Sequence, residues 1–261
     1  ALQAVLQPNP VSWTANSRQA VFPLALEDLS SDLYLYNPQA GTFKRLSERF
    51  QQEFAPLWAP GQNWLVFQEV NSYATPDDWE VSLVGAWKMP KQDELRYLFE
   101  PKATGNWEHY VGWLTPEELV SYTATETGGT DLHLSNLGTG KSVVLFYGAF
   151  NSVALDPAHG SIAVSVNSAE GKIGGRKPGI YFSKSGGLLF YLLMEGEFEH
   201  LEFAPEVGHF IATGKSGVLQ FDGNGILARL EADQRISFSP DGKWAIGWGT
   251  NGARLYYADG M

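Results

Sequence analysis

Cysteine is absent from the 261 residues, which excludes disulfides, zinc–thiolate sites and a cysteine nucleophile. Cations are scarce: 18 Lys and Arg against 29 Asp and Glu leave a formal net charge of −11. A general nucleic-acid binder needs clustered cations for the phosphate backbone, so no nucleic-acid partner is expected. No apolar run approaches the roughly 20 residues of a membrane-spanning helix, and no membrane span is expected. Helical periodicity is equally short; "TPEEL" at 115–119 is enough for one turn. No Asn-x-Ser/Thr acceptor occurs, which disfavours a glycosylated ectodomain. The chain opens at Ala1 without a basic and apolar leader, as a processed protein or a piece of a longer chain would.

What is present suits a soluble, turn-rich fold. Hydrophobic residues make up 44%, aromatics 13%, and there are 28 glycines. Two glycine-rich stretches invite a nucleotide-binding reading: "SNLGTGKSVVLF" at 135–146 and "ATGKSGVL" at 212–219. A phosphate loop requires a glycine five residues before the Gly of Gly-Lys-Ser, and Ser135 and His209 stand there. It also requires a following helix, whereas "SVVLF" and "SGVLQF" are strand-like. That reading fails.

Internal repetition explains the stretches better. "FSPDGKWAIG" at 238–247 resembles "WAPGQNWLVF" at 58–67, and weaker versions begin at Trp13, Trp113, Leu155 and Phe203. Anchors at 13, 58, 113, 155, 203 and 238 are 45, 55, 42, 48 and 35 residues apart, the range of one propeller blade. Each anchor ends an inner strand, a polar turn follows, and a β-rich run such as "WLVF" makes the second strand. "DLYLYNPQAGTFKRL" at 32–46 aligns without gaps on "DLHLSNLGTGKSVVL" at 131–145, matching Asn37 to Asn136 and Gly41 to Gly140. Alternating apolar and polar residues before a glycine turn predict a half-buried hairpin, so Gly138, Gly140 and Lys141 belong to an outer-hairpin turn.

The expected fold class is all-β: a single six-bladed β-propeller over 1–261, with blades near 11–50, 54–104, 109–147, 150–195, 199–230 and 235–261. The last copy stops at "RLYYADGM", and the N-terminal "LQAVLQ" belongs to no complete copy. Pairing that segment into the last blade would close the ring and remove its exposed edges.

"ISFSPDGKWAIG", and less closely "PLWAPGQNWLVF" and "DLYLYNPQAGTFKRL", resemble the WD-like repeat of the TolB-like β-propeller family. Members of that family include periplasmic adaptors, propellers that gate serine peptidases, and bacterial surface proteins. The resemblance therefore implies a bacterial, extracytoplasmic protein, periplasmic or extracellular, and specifies fold rather than chemistry.

Candidate chemistry is thin. No Gly-x-Ser-x-Gly elbow occurs, so a peptidase would need a catalytic domain outside this chain. His109, His133, His159, His200 and His209 show no metal-ligand spacing, and no metal or cofactor is expected. Trp13, Trp58 and Trp113 at repeat anchors are expected in the core between blades. Of the anchor segments only "EF" carries charge, through Glu202, too little for acid–base work. The connections between second and third strands share one face, the usual place for ligand contacts. They carry Glu27 and Asp28 in the first blade, and Tyr73, Asp77, Asp78 and Trp79 in the second, with Glu126 in the third. "NSAEGKIGGRKPG" at 167–179 adds Lys172, Arg176 and Lys177, a basic patch in an acidic chain. The expected function is a monomeric, non-catalytic binding or scaffold propeller whose one face takes a protein partner or a small ligand. The alternatives are a hydrolase or lyase using channel-mouth carboxylates and the propeller domain of a larger enzyme.

Overall fold

The structure is a computed structural model that describes residues 11–26, 30–49, 51–71, 82–91, 95–98, 108–124, 129–166, 175–184, 186, 189–205, 208–215, 217–230, 235–239, 241–249 and 252–257. Every regular element it describes is a β-strand. The first sheet begins with an antiparallel meander of β1 (Ser12–Trp13), β2 (Ala20–Ala25), β3 (Ser31–Asn37) and β4 (Thr42–Arg45). A second meander, β5 (Gln51–Trp58), β6 (Trp64–Asn71), β7 (Ser82–Lys88) and β8 (Leu95–Tyr97), joins it through one parallel bridge, Ser31 to Gln52. Next comes the four-stranded sheet of β9 (Glu108–Trp113), β10 (Glu118–Ala124), β11 (Thr130–Asn136) and β12 (Lys141–Gly148). Another holds β13 (Phe150–Asp156), β14 (Ser161–Val166), β15 (Gly179–Ser183) and β16 (Tyr191–Glu195). A further four-stranded sheet has β17 (Phe198–Phe203), β18 (Phe210–Gly214), β19 (Gly217–Asp222) and β20 (Gly225–Leu230). The last sheet has three described strands, β21 (Arg235–Phe238), β22 (Trp244–Gly249) and β23 (Gly252–Tyr257).

Antiparallel order gives every meander two unlike ends. Tight turns after the first and third strands lie at one end; the connections after the second and fourth leave from the other. At the first end the alignment of 32–46 with 131–145 is realised in atoms. Asn37 Oδ1 accepts the Gln39 and Ala40 N–H groups, and Asn136 Oδ1 accepts that of Thr139. Gly41 and Gly140 follow with φ of 61° and 69°, the left-handed conformation that glycine adopts without a Cβ penalty. The "GTGKS" stretch is thus a hairpin turn feeding the strand β12.

The chain divides into two compact units, residues 1–124 with 134–142, and residues 125–133 with 143–261. In the first unit, Trp58 and Trp87 pack with Val21, Leu33, Leu65 and Phe67, while Trp64 and Trp113 pack with Val66, Val84 and Leu119. In the second, Phe182, Phe210 and Phe221 form a stack with centroid spacings of 5.7 and 5.3 Å. That stack anchors a core with Ala163, Ile180, Leu201 and Leu219.

Successive inner strands are fastened by side chains bonding the next strand's backbone. Ser12 Oγ accepts the Trp58 N–H at 3.0 Å, Ser152 Oγ that of Leu201 at 3.0 Å, and Glu202 Oε1 that of Phe238 at 3.2 Å. This fastening corrects the expectation for Trp13. Because side chains alternate along a strand, Ser12 facing β5 turns Trp13 away, and Trp13 is exposed while Trp58 and Trp113 are buried. The last sheet has the same asymmetry: Ala245 packs with Ile211, Val218 and Leu230, leaving Trp244, Ile246 and Trp248 on an exposed face.

Candidate functional site

Most residues singled out from the sequence, Glu27, Asp28, Tyr73, Asp77, Asp78, Trp79, Glu126 and Lys172, lie outside the described residues. Arg176 and Lys177 are described, and both are engaged within their own unit. The Arg176 guanidinium sits 4.1 Å from the Phe146 ring centroid and 5.3 Å from that of Tyr181, and its Nε donates to the Tyr147 carbonyl at 3.0 Å. Those contacts tie Arg176 down three residues before β15. Lys177 pairs with Glu195, with both side chains largely in solvent.

The connection end of the first two meanders holds a network that sequence reasoning missed. Asp32, at the start of β3, has no exposed side chain and is clasped by Arg45, whose Nε donates at 2.5 Å. Glu53, near the start of β5, is fully buried. Its Oε2 meets the Ser47 hydroxyl, and its Oε1 lies 3.7 Å from Arg49. Arg49 grips Glu69, near the end of β6, through both terminal nitrogens, one at 3.2 Å. It also donates to the Tyr97 hydroxyl at 2.7 Å, which donates onward to Glu69 at 3.0 Å. Burial, reinforced by the charge of Glu69, pushes the Glu53 carboxyl up to about 7, and burial also raises Glu69. Three buried carboxylates and two half-exposed arginines thus converge where the 26–30 and 72–81 connections are rooted.

Glu108 extends this pattern at the start of β9. It is buried, its Oε2 accepts the Val84 N–H at 3.2 Å, and Gln68 Nε2 donates to its backbone carbonyl at 2.9 Å. Two inner strands, β5 and β9, therefore carry a buried carboxylate at their connection ends, away from the anchors where charge was sought. The signal available in the sequence was an acidic residue at or near the start of each strand, "QQEFAPLW" and "EHYVGW". Glu202, the anchor carboxylate, accepts the Phe238 N–H and stands 3.5 Å from His200. The other described histidines are dispersed. Burial shifts His109 and His133 down, and His159 meets Asp156 at 2.7 Å. Among the described residues, no three His, Asp or Glu side chains come together as metal ligands.

No protein-family model matches the chain, and no curated protein matches it. Solved structures match its fold. The β-propeller domain of the Trilobed protease from Pyrococcus furiosus, described as having an open velcro topology, superposes with a TM-score of 0.60 at 13% identity, over 96% of this chain and 81% of that one. An oligogalacturonate lyase in complex with manganese gives 0.62 at 13% identity, over 95% and 73%. TolB from Acinetobacter baumannii gives 0.53 at 15% identity, over 94% and 62%. At such identities the likeness is one of fold. The chain has a TolB-like β-propeller fold, one shared by enzyme domains and by TolB, and no described helix is long and apolar enough to cross a membrane.

Proposed function

We propose that this chain is a six-bladed recognition propeller, a single domain over 1–261, that takes a protein partner or a small ligand on its connection face. Residues 2–7 would complete the ring by pairing with β23, the last described strand of a sheet that has three where others have four. The recognition surface would comprise Glu27, Asp28, Tyr73, Asp77, Asp78, Trp79 and Lys172, with Arg176 bracing the last of these loops and Lys177 at its rim. The protein would act as a monomer, without a cofactor, in a bacterial periplasm or outside the cell.

The observation that carries this reading is the Asp32–Arg45–Ser47–Arg49–Glu53–Glu69–Tyr97 network. Burying charge is costly unless each group is paired, and here the pairing falls at the roots of two candidate binding loops. A rigid scaffold under variable loops is how binding surfaces are commonly built. The test is site-specific photo-crosslinking in the native cell. Probes at Trp79 and Lys177 should give a discrete adduct, and probes at Gln39 and Asn224, in turns at the opposite end, should not. Adducts from the turn end alone would overturn the reading.

A second reading draws on Glu53. A buried carboxyl titrating near neutrality beside an arginine and a tyrosine is a common feature of catalytic sites, and lyases and peptidases share the fold. In that case the chain is the propeller of a larger hydrolase or lyase. Glu53→Gln would then abolish turnover by the full-length native protein without altering its crosslinks. Unchanged turnover would reject a catalytic Glu53.

A further inference from the structure

The turn between β19 and β20 reads "DGNG", residues 222–225, and lies wholly in the second unit. Asp222 and Gly225 pair across its base, and Asn224 stands exposed at its tip. Asp222 Oδ1 accepts the Asn224 N–H at 2.7 Å and the Gly225 N–H at 2.9 Å. Its Oδ2 accepts from Asn224 Nδ2 at 3.2 Å, which turns the Asn224 carbonyl oxygen toward Lys184, whose Nζ donates to it at 3.2 Å. The Tyr191 hydroxyl donates to the Gly223 carbonyl and fixes the turn to the start of β16.

An asparagine followed by glycine carries its own chemistry. The glycine nitrogen can attack the asparagine Cγ, expel the side-chain nitrogen as ammonia and close a five-membered imide. The reaction is ordinarily slow because an amide N–H gives up its proton reluctantly and an amide carbonyl is a poor electrophile. Both obstacles are met here by a charged neighbour. The Asp222 carboxylate sits on the N–H that must be deprotonated, and the Lys184 ammonium sits on the carbonyl oxygen that must take up charge. Slight burial, which would raise the Asp222 carboxyl, is outweighed by the hydrogen bonds from Asn224 and Gly225, so it lies below its ordinary value and is ionised at neutral pH. Gly225 has no side chain to hinder its nitrogen, and a Cβ built there meets nothing within 4 Å. The other two turn asparagines lack this set. Pro38, after Asn37, has no N–H to lose, and Leu137, after Asn136, crowds its nitrogen with a branched side chain.

We propose that this turn is a self-modifying site, in which Asp222 and Lys184 drive conversion of Asn224 to an imide and, with water, to an aspartyl or isoaspartyl residue. Asp222 takes the proton of the Gly225 N–H as that nitrogen bonds to Asn224 Cγ. The Cγ–Nδ2 bond breaks, and the proton passes from Asp222 to Nδ2, which leaves as ammonia. Water then opens the imide. Breaking the bond from Gly225 N to Cγ leaves aspartate; breaking its bond to the main-chain carbonyl carbon leaves isoaspartate. Either product places a new carboxylate beside Lys184, and isoaspartate also adds a methylene to the backbone of the turn.

The test is peptide mass spectrometry of the full chain held at neutral pH, following the exchange of an NH₂ for an OH at position 224. Conversion in the folded chain should be about ten-fold faster than in the isolated peptide 217–230, which keeps the Asn-Gly pair and Asp222 but lacks Lys184. Lys184→Met and Asp222→Ser should each remove most of that factor; serine keeps an acceptor for the turn N–H groups but supplies no base. The second Asn-Gly pair, Asn251 and Gly252, has its asparagine outside the described residues and serves as a reference in the same digests. A rate in the folded chain no faster than in the peptide overturns the proposal, and so does a substitution that leaves the ratio of Asn224 to Asn251 conversion unchanged. The comparison of folded chain with peptide needs no variant, so it stands even if a substitution unfolds the protein.

Discussion

Replacing Glu53 with glutamine should flatten the fall in stability that accompanies rising pH in the mildly acidic range. The carboxyl is fully buried and is pushed from 4.5 to about 7. Burial is the main reason a proton is held there, and the Ser47 hydroxyl, which favours the ionised form, offsets only part of it. Ser47 Oγ accepts the Leu33 N–H at 3.1 Å and lies between Glu53 Oε2 and Asp32 Oδ1, the latter at 3.5 Å. It has one proton to give. With Glu53 protonated, Glu53 donates to Ser47 and Ser47 to Asp32; with Glu53 ionised, two carboxylates compete for that one proton. Glu69 and Asp32 add repulsion to the charged form, and Arg49, 3.7 Å away, offsets part of it. The native state therefore holds this proton more tightly than the unfolded chain does. Stability from the group is fully present below 4.5 and is lost as pH rises through about 7. At about 1.4 kcal/mol per pH unit, the loss is about 3 kcal/mol. Urea unfolding followed by tryptophan fluorescence, from about pH 4.5 to about pH 7.5, measures it. The difference between Glu53→Gln and wild type should grow by about 3 kcal/mol in the variant's favour across that range. His109 and His133, both shifted down by burial, titrate in the opposite sense but occur in both proteins and cancel. Parallel stability curves would refute the reasoning.

Four other substitutions test packing, a turn and an exposed pair by denaturant midpoint. In Gly85→Ala the new Cβ would come within 2.6 Å of the Phe67 ring, itself fully buried and 4.4 Å from the Trp87 centroid, so a loss of about 1–3 kcal/mol is expected. Gly140→Ala meets nothing in space but must take a φ of 69°, and should lose about 1 kcal/mol; a neutral result would deny the left-handed turn. Arg176→Met should cost about 1–2 kcal/mol through its aromatic contacts, whereas Lys177→Ala, in an exposed pair, should stay within about 0.5 kcal/mol. A reversed order would return Arg176 to the role of free ligand-binding cation.

The hairpins were legible because their logic is local. An asparagine followed four residues later by a left-handed glycine, between alternating strands, is complete within about 15 residues of sequence. Trp13 was misjudged because burial of a strand residue depends on which neighbour covers which face, and the anchor pattern alone does not say. The charged network was missed for a related reason. Asp32 and Asp131 occupy the same place in the aligned hairpins, yet Asp32 is buried against Arg45 and Asp131 is partly exposed. What separates them is the partner, supplied by Arg45, Ser47 and Arg49 on the path to β5. Pairing across 20 residues or more, as between Arg49 and Glu69, leaves no periodic trace.

The two ends of the meanders solve different problems with different chemistry. At the turn end the backbone reverses within a few residues, and Asn or Gly suffices to satisfy it. At the connection end the chain leaves one sheet and enters the next, and inner strands begin with no hairpin turn of their own sheet to hold them. Buried polar side chains do the holding there: Ser31 Oγ on the Glu53 carbonyl at 2.9 Å, Gln68 on that of Glu108 at 2.9 Å, and Ser165 on that of Phe198 at 2.6 Å. In the last two cases apolar residues could not serve, because a buried carbonyl at the start of a strand requires a donor. Carboxyl groups go beyond this need. A serine or glutamine would fasten β5 as well as Glu53 does, without the desolvation cost of a carboxylate. That the first two meanders place Asp32, Glu53 and Glu69 there, with two arginines reaching from the surface, is a cost to folding that structure alone does not require. It falls where the acidic 26–30 connection and the acidic, aromatic-bearing 72–81 connection are rooted, which is why recognition or chemistry is best sought on that end.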